Sequence, residues 1–301
     1  MPTVWLNGEW FDEDVASISV RDTGLLHAAG VFTTCRAYGG RVFALDRHLK
    51  RLRESCDALF IPLQFNDAVL QEAAQELLGR DALSDARLRL TVTRGMARHD
   101  PLHGLRLSPT VLLTATALEP YPPQFYERGM TVILIDEFKL NPYDPQAGHK
   151  TLNYLSRLMA LRDANLRSAG EALWFNVHNY LQSGSISNVF IVKGNTLITP
   201  PTPADLRDPE IAQRCPYPRS AVLPGVTRAL VLEAAKAAAI QVQISAINVE
   251  MLLEADEVFI TNSIMTVMPV CRIERRAIGD DRPGKITRQL ADAYRALTEQ
   301  A

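Results

Sequence analysis

His149-Lys150-Thr151-Leu152-Asn153-Tyr154 is the stretch on which the reading of this chain turns. It follows a loop of turn formers (Asn141, Pro142, Tyr143, Asp144, Pro145, Gly148) and leads into Leu155-Ser156-Arg157-Leu158-Met159-Ala160-Leu161, which reads as a helix. A lysine at such a junction is placed by its flanks while its long stem can still swing, as a lysine forming a Schiff base must. The competing reading is a surface lysine beside a helix start, which is the commoner case for an arbitrary lysine. The rest of the chain decides between them.

With 301 residues the chain can bury a substantial core, and it sits near the length at which one core splits into two domains. Hydrophobic residues at 47% and charged residues at 22% are ordinary for a globular protein. A net charge of -2 argues against a general nucleic-acid binder. Cys35, Cys56, Cys215 and Cys271 show no paired spacing, which argues against zinc or any other metal and against a disulfide framework. The first residues, Met1 to Gly8, carry no signal-peptide pattern, and no apolar run is long enough to span a bilayer. The expectation is a soluble cytoplasmic protein with no membrane partner.

In chain order, Val4 to Phe11 reads as two short strands around an Asn7-Gly8 turn. Arg21-Asp22-Thr23-Gly24 reads as loop. Gly30 to Tyr38 reads as a strand turned by Gly39-Gly40 into Arg41 to Leu45, with Asp46 as N-cap of a helix carrying His48, Leu49, Arg51, Leu52 and Leu59. A second helix covers about 68–78. Arg87 to Arg94 alternates as a half-buried strand, an irregular segment runs from Gly95 to Ser108, and Thr110 to Ala115 is another strand. Residues 1–119 are thus expected to form a small α+β domain, 120–125 a proline-rich linker, and 126–301 a larger α/β domain. In the latter, strands are expected at 130–135, 172–177, 189–193, 196–199, around Val242, at 258–261 and at 267–270. Helices are expected to end near Ala239 and to run from about Ile286 to Leu297. Pro200 to Ser220 reads as a long loop.

Gly225-Val226-Thr227 places a glycine turn at a helix start, where unpaired N–H groups and the helix dipole favour an anion such as phosphate. Thr261-Asn262-Ser263 ends a strand with three hydrogen-bonding side chains, by itself a turn. Arg51, one helical turn beyond Arg47 and His48, is by itself a solvated helix face. No six-position glycine fingerprint, Walker loop, Gly-x-Ser-x-Gly elbow or His-Glu-x-x-His is present, and Ser183-Gly184-Ser185 is on that test a polar turn.

Taken in order, His48-Leu49-x-Arg51-Leu52, Lys150-Thr151-Leu152-Asn153, Gly184-Ser185-Ile186-Ser187-Asn188-Val189-Phe190, Leu223-Pro224-Gly225-Val226-Thr227-Arg228, and Thr261-Asn262-Ser263 with Val267-Met268-Pro269-Val270 resemble the class IV aminotransferase family. This is the fold type IV group of pyridoxal phosphate enzymes, with a D-amino acid aminotransferase-like fold. It includes branched-chain and D-amino acid aminotransferases and 4-amino-4-deoxychorismate lyase. The resemblance implies pyridoxal 5'-phosphate as cofactor, Lys150 as its covalent anchor and proton-transfer base, and Arg51, the backbone of Val226 and Thr227, and Ser263 around the phosphate. Tyr154 matches a tyrosine facing the cofactor's phenolic oxygen. Phe32, Arg98, His99 and Ile264 fall near the substrate, with a loop-surface role the alternative for Arg98 and His99. A small amine or amino acid substrate and a homodimer are further implications.

The chain departs from the family at Gln182, read as the position of the glutamate that pairs with the cofactor's pyridine nitrogen. A neutral glutamine makes the ring a weaker electron sink. Transamination should suffer most, whereas an elimination ending in an aromatic ring needs the sink less. Phe32-Thr33-Thr34 also resembles the lyases, where many aminotransferases carry Glu just after the aromatic residue, and so does Thr261 to Met265. The favoured expectation is conversion of 4-amino-4-deoxychorismate to 4-aminobenzoate and pyruvate, a step of folate biosynthesis. The alternatives are a branched-chain or D-amino acid aminotransferase, and a catalytically altered homologue with a binding role.

Overall fold

Residues along Gly30–Tyr38 alternate between two environments: Val31, Cys35 and Ala37 enter an apolar core, while Phe32, Thr34, Arg36 and Tyr38 point to the opposite side of the strand. The computed structural model describes residues 2–100 and 104–299. The chain divides into two units, one of Met1–Glu119 with His149–Asn153 and one of Pro120–Gly148 with Tyr154–Gln300.

In the first unit β1 (Thr3–Leu6) and β2 (Glu9–Asp12) form the expected hairpin, followed by the short α1 (Thr23–His27). Then come β3 (Gly30–Tyr38), β4 (Arg41–Val42), α2 (Leu45–Ala58), α3 (Asp67–Arg80), β5 (Ala86–Asp100) and β6 (Gly104–Ala117). The strands build an antiparallel six-stranded sheet in the order β2-β1-β6-β5-β3-β4. Leu49, Leu52 and Cys56 of α2 and Leu70, Leu77 and Leu78 of α3 pack on one face of it, with Val31, Leu88, Leu90 and Val111 from the strands.

Three expectations are corrected here. The Arg21–Gly24 loop contains a cap: Asp22 is buried, and its carboxylate accepts from the Gly24 amide and from the Thr93 and Thr110 hydroxyls at 2.6–2.8 Å, starting α1. Asp46 lies in the first turn of α2, and Ala44 occupies the N-cap with no side-chain cap bond. Within the segment from Gly95 to Ser108, residues 95–100 continue β5 and residues 104–108 begin β6, paired antiparallel, while 101–103 lie outside the described residues. The breaker residue is absorbed by a register shift between Thr93 and Met96, where Gly95 has φ +70° and a Cβ would lie 1.6 Å from the Ser108 carbonyl oxygen.

The second unit begins with α4 (Pro123–Arg128), so the proline-rich segment read as a linker starts a helix at Pro123, a residue preset for the first helical turn. It continues with β7 (Met130–Leu140), α5 (Leu155–Leu166), β8 (Glu171–Asn176), β9 (Leu181–Gly184), β10 (Asn188–Lys193) and β11 (Thr196–Thr199). Next are α6 (Pro209–Gln213), α7 (Val226–Ala237), β12 (Gln241–Ile244), α8 (Val249–Leu253), β13 (Glu257–Asn262), β14 (Thr266–Ile273), β15 (Arg276–Ala277) and α9 (Lys285–Glu299). The sheet runs β12-β11-β10-β13-β14-β7-β8-β9, with β15 on β14, and mixes parallel pairs (β7 with β8 and with β14, β11 with β12) with antiparallel ones. Mixed pairing with helices on the sheet makes this an α/β unit. Among the described residues no helix is long and apolar enough to cross a membrane.

Candidate active site

The backbone around Lys150 is an edge of the first unit's sheet. β4 pairs with β3 only at Ala37 and Tyr38, which leaves the start of β3 open on that side. Residues 150–152 cover it: the Phe32 amide donates to the Lys150 carbonyl and the Leu152 amide to the Gly30 carbonyl, both at 2.9 Å, around a Val31–Thr151 bridge. The backbone of Lys150 is therefore fixed through its own carbonyl, and the two ladder bonds flank Thr151, the next residue. Lys150 Nζ lies 4.6 Å from the centre of the Phe32 ring, and the Arg89 guanidinium carbon lies 3.6 Å from the same ring.

On the helix-facing side of β3, Thr33 is fully buried among apolar neighbours. Arg51 Nη2 donates to its Oγ1 at 2.9 Å, and His48 Nδ1 lies 2.8 Å from the same oxygen. Burial, with the charges of Arg51 and Lys150, holds the His48 imidazole well below its ordinary value, so it is neutral at pH 7. Arg51 is itself buried, which corrects the solvated-face reading. One turn on, Ser55 Oγ lies 3.0 Å from His149 Nδ1, fixing the residue before the lysine.

In the second unit the Gly184–Asn188 turn is built on Glu171. This fully buried carboxyl accepts from the amides of Ala172, Ser185 and Ile186 and from the Ser187 hydroxyl. Burial raises its pKa and the four donors oppose that. The same turn receives Tyr154, whose hydroxyl donates to the Ser185 carbonyl, and Arg157, which donates to the Gly184 and Ser185 carbonyls. Tyr154 thus has a defined position.

Gln182 is fully buried on β9 and its carboxamide is occupied. The oxygen accepts from the Ala221 amide at 3.1 Å and the Ser220 hydroxyl at 3.4 Å; the nitrogen donates to the Leu181 carbonyl at 3.1 Å and the Tyr217 hydroxyl at 3.3 Å. The loop from Pro200 to Ser220 therefore has a packing role: Tyr217, 2% exposed, and Ser220 enclose Gln182. Next along the strand, Ser183 is 5% exposed and its Oγ has no partner among the described residues.

At the start of α7, Gly225 is the N-cap and provides no side-chain cap, so the first amides of the helix are open to an acceptor. A Cβ on Gly225 would sit 2.0 Å from the Asn188 amide oxygen, and Asn188 donates to the Leu223 carbonyl, so this turn is packed too tightly for any other residue. Thr227 is buried and its Oγ1 has no partner among the described residues. Arg228 is tied to Asp205 and the Pro200 carbonyl and serves the fold. Between β13 and β14, Asn262 accepts from the amides of Ile264 and Met265 and donates to the Ile186 carbonyl, shaping the turn that carries Ser263 and Ile264. Thr261 Oγ1, like Ser183 Oγ and Thr227 Oγ1, is a buried hydroxyl without a partner among the described residues.

Within the second unit, open helix N-terminal amides beside a threonine hydroxyl without a partner among the described residues are a donor set suited to an anion such as phosphate, and in the first unit buried Arg51 is a donor of the same kind. Arg98 and His99 are exposed on the β5–β6 hairpin, opposite Arg106 and Leu105. Sequence reasoning passed over Thr33, Arg89, Glu171 and Ser183. The signal for Thr33 was available: it is a polar residue at an inward position of an alternating strand. Glu171 and Ser183 had no such signal, because both depend on partners distant in sequence or on none.

The family model described as Amino-transferase class IV matches residues 30–273. A protein of Methanocaldococcus jannaschii provisionally assigned as a branched-chain-amino-acid aminotransferase is 33% identical, over 98% of this chain and 96% of its own. The D-alanine aminotransferase of Bacillus licheniformis is 29% identical, over 96% of this chain and 95% of its own. Among solved structures, the 4-amino-4-deoxychorismate lyase from Pseudomonas aeruginosa superposes with a TM-score of 0.79 at 28% identity, over 97% of this chain and 98% of its own. The chain belongs to the class IV aminotransferases, a family of pyridoxal phosphate-dependent enzymes.

Proposed function

We propose that the chain is a lyase acting on 4-amino-4-deoxychorismate and releasing 4-aminobenzoate and pyruvate. The observation that carries this reading is β9: Gln182 is neutral and fully hydrogen-bonded within the protein, and the neighbouring side chain is the neutral hydroxyl of Ser183. Neither can balance a protonated pyridine nitrogen as a carboxylate would. Bound pyridoxal phosphate supplies a carbonyl that condenses with the substrate amine and a ring that accepts an electron pair. With a weak sink, the reaction that fits best is one whose product is stabilised by its own aromaticity.

In this reading Lys150 anchors the cofactor, and once displaced its Nζ takes the proton from the amine-bearing ring carbon. The bond from the ring to the enolpyruvyl oxygen breaks, and the leaving group collects a proton to become pyruvate. Arg51, the Val226 and Thr227 amides, the Thr227 hydroxyl and Ser263 bind the phosphate. Tyr154 is held at the Ser185 carbonyl for a role at the phenolic oxygen, and Ser183 is the neutral partner of the ring nitrogen. Phe32 shields the lysine, and Arg89 beside it is a cation for a substrate carboxylate, a role better placed there than on exposed Arg98 or His99. Ile264 lines the substrate side. A homodimer fits the apolar outer side of α5, where Leu155, Leu158, Met159 and Leu166 are exposed.

An aminotransferase for branched-chain or D-amino acids is the second reading, favoured by the identity to the M. jannaschii and B. licheniformis relatives. Purified holoenzyme separates the two. With 4-amino-4-deoxychorismate the lyase forms 4-aminobenzoate and pyruvate in equal amounts, and with amino acids alone its visible absorption band persists. Rapid loss of that band on adding leucine or D-alanine, with no 4-aminobenzoate formed, would reverse the assignment.

A further inference from the structure

Thr33 occupies an inward position of β3 between Val31 and Cys35, both in the apolar core, and is 0% exposed. A hydroxyl there costs stability unless its proton and lone pairs are used. Two side chains from α2 use them. His48 and Arg51, three residues apart, both project from the buried face of the helix that carries Leu49 and Leu52. Arg51 Nη2 is 2.9 Å from Thr33 Oγ1 and His48 Nδ1 is 2.8 Å from it.

We propose that Thr33 and His48 are positioning residues for Arg51, orienting its guanidinium for the cofactor's phosphate through the shared Thr33 hydroxyl. The guanidinium can only donate, so Thr33 Oγ1 accepts from it. His48 Nδ1 meets the same oxygen, donating or accepting according to its tautomer, on an imidazole that burial and the two cations beside it keep neutral. Fixing one guanidinium nitrogen limits the rotation of a long side chain and so sets the plane of the fork with which arginine grips phosphate oxygens.

The inference rests on the reading of Arg51 as a phosphate ligand, and its test separates the two. Cofactor is stripped from the full-length protein, which is then titrated with pyridoxal phosphate and with pyridoxal, the same ring lacking the phosphate. The quantity read is the ratio of the two dissociation constants. Arg51→Gln should collapse most of the preference for the phosphorylated ligand. Thr33→Val, nearly isosteric, should reduce it about tenfold, the size of one hydrogen bond to a charged group. Thr33→Ser should restore it, and Thr33→Val should add nothing in an Arg51→Gln background. If Thr33→Val is insoluble, His48→Gln serves the same comparison and should lower the ratio in the same direction. An unchanged ratio in Thr33→Val and His48→Gln while Arg51→Gln lowers it overturns the positioning role and leaves the phosphate reading standing. Equal weakening of both ligands by Thr33→Val overturns it in favour of a purely structural role. An unchanged ratio in Arg51→Gln overturns the phosphate reading and the inference with it.

Discussion

A glutamate at position 182 would meet a carbonyl before it met a cofactor. The carboxamide nitrogen of Gln182 donates to the Leu181 carbonyl, and a carboxylate oxygen in its place would face that acceptor without a proton to offer. Gln182→Glu is therefore expected to lower stability by about 1–3 kcal/mol, read as a fall in the urea midpoint at pH 7, with a smaller loss at pH 5 where the carboxyl takes up a proton. It is not expected to raise transamination. An unchanged midpoint would mean that the amide contacts carry little weight. The sequence showed that a neutral residue stands here, but not what surrounds it, because Tyr217, Ser220 and Ala221 come from a loop some forty residues away whose packing leaves no local pattern.

At the scale of the element, α7 combines two properties with opposite effects. Its N-terminus is open and its second residue, Thr227, buries a hydroxyl without a partner among the described residues, an arrangement unfavourable to the protein alone and favourable to an anion ligand. Thr227→Val should therefore leave the cofactor-free protein as stable or more stable by about 1 kcal/mol, while weakening pyridoxal phosphate binding about tenfold. Melting curves with and without the cofactor read both effects, and a loss of stability in the cofactor-free variant would contradict the account. Helix starts such as this one were legible, since Gly225 and the following apolar period are local signals. The β5–β6 hairpin was not: the segment from Gly95 to Ser108 reads as irregular, and only the pairing of Met96 with Ser108 across the hairpin shows that the glycine makes a bulge and the strands continue. β9 was missed for a related reason, because Gln182-Ser183-Gly184 has neither alternation nor β-branched residues, and its strand character comes from pairing with β8.

For the whole molecule, the exposed Leu155, Leu158, Met159 and Leu166 on α5 repeat at helical spacing and form one apolar side. If that side is where two copies meet, Leu158→Glu should raise the dimer dissociation constant at least about tenfold, because it places a charge in a dry contact. Light scattering across a dilution series measures this. A dimer that ignores the substitution would place the contact elsewhere. The mixed α/β character was legible because strand and helix periods are written locally, whereas the membership of residues 149–153 was not, since nothing in those five residues announces a partner at Gly30 and Phe32.

That membership bears on synthesis. A ribosome that has released residues 1–119 has delivered every strand of the six-stranded sheet, but not the segment that covers the start of β3. Until residue 153 emerges, the Gly30 carbonyl and the Phe32 amide lack their partners, so the nascent first unit carries an open edge able to pair wrongly. The last piece to close that edge is the one bearing Lys150, so a chain truncated before it loses that lysine and the edge cover in the same cut.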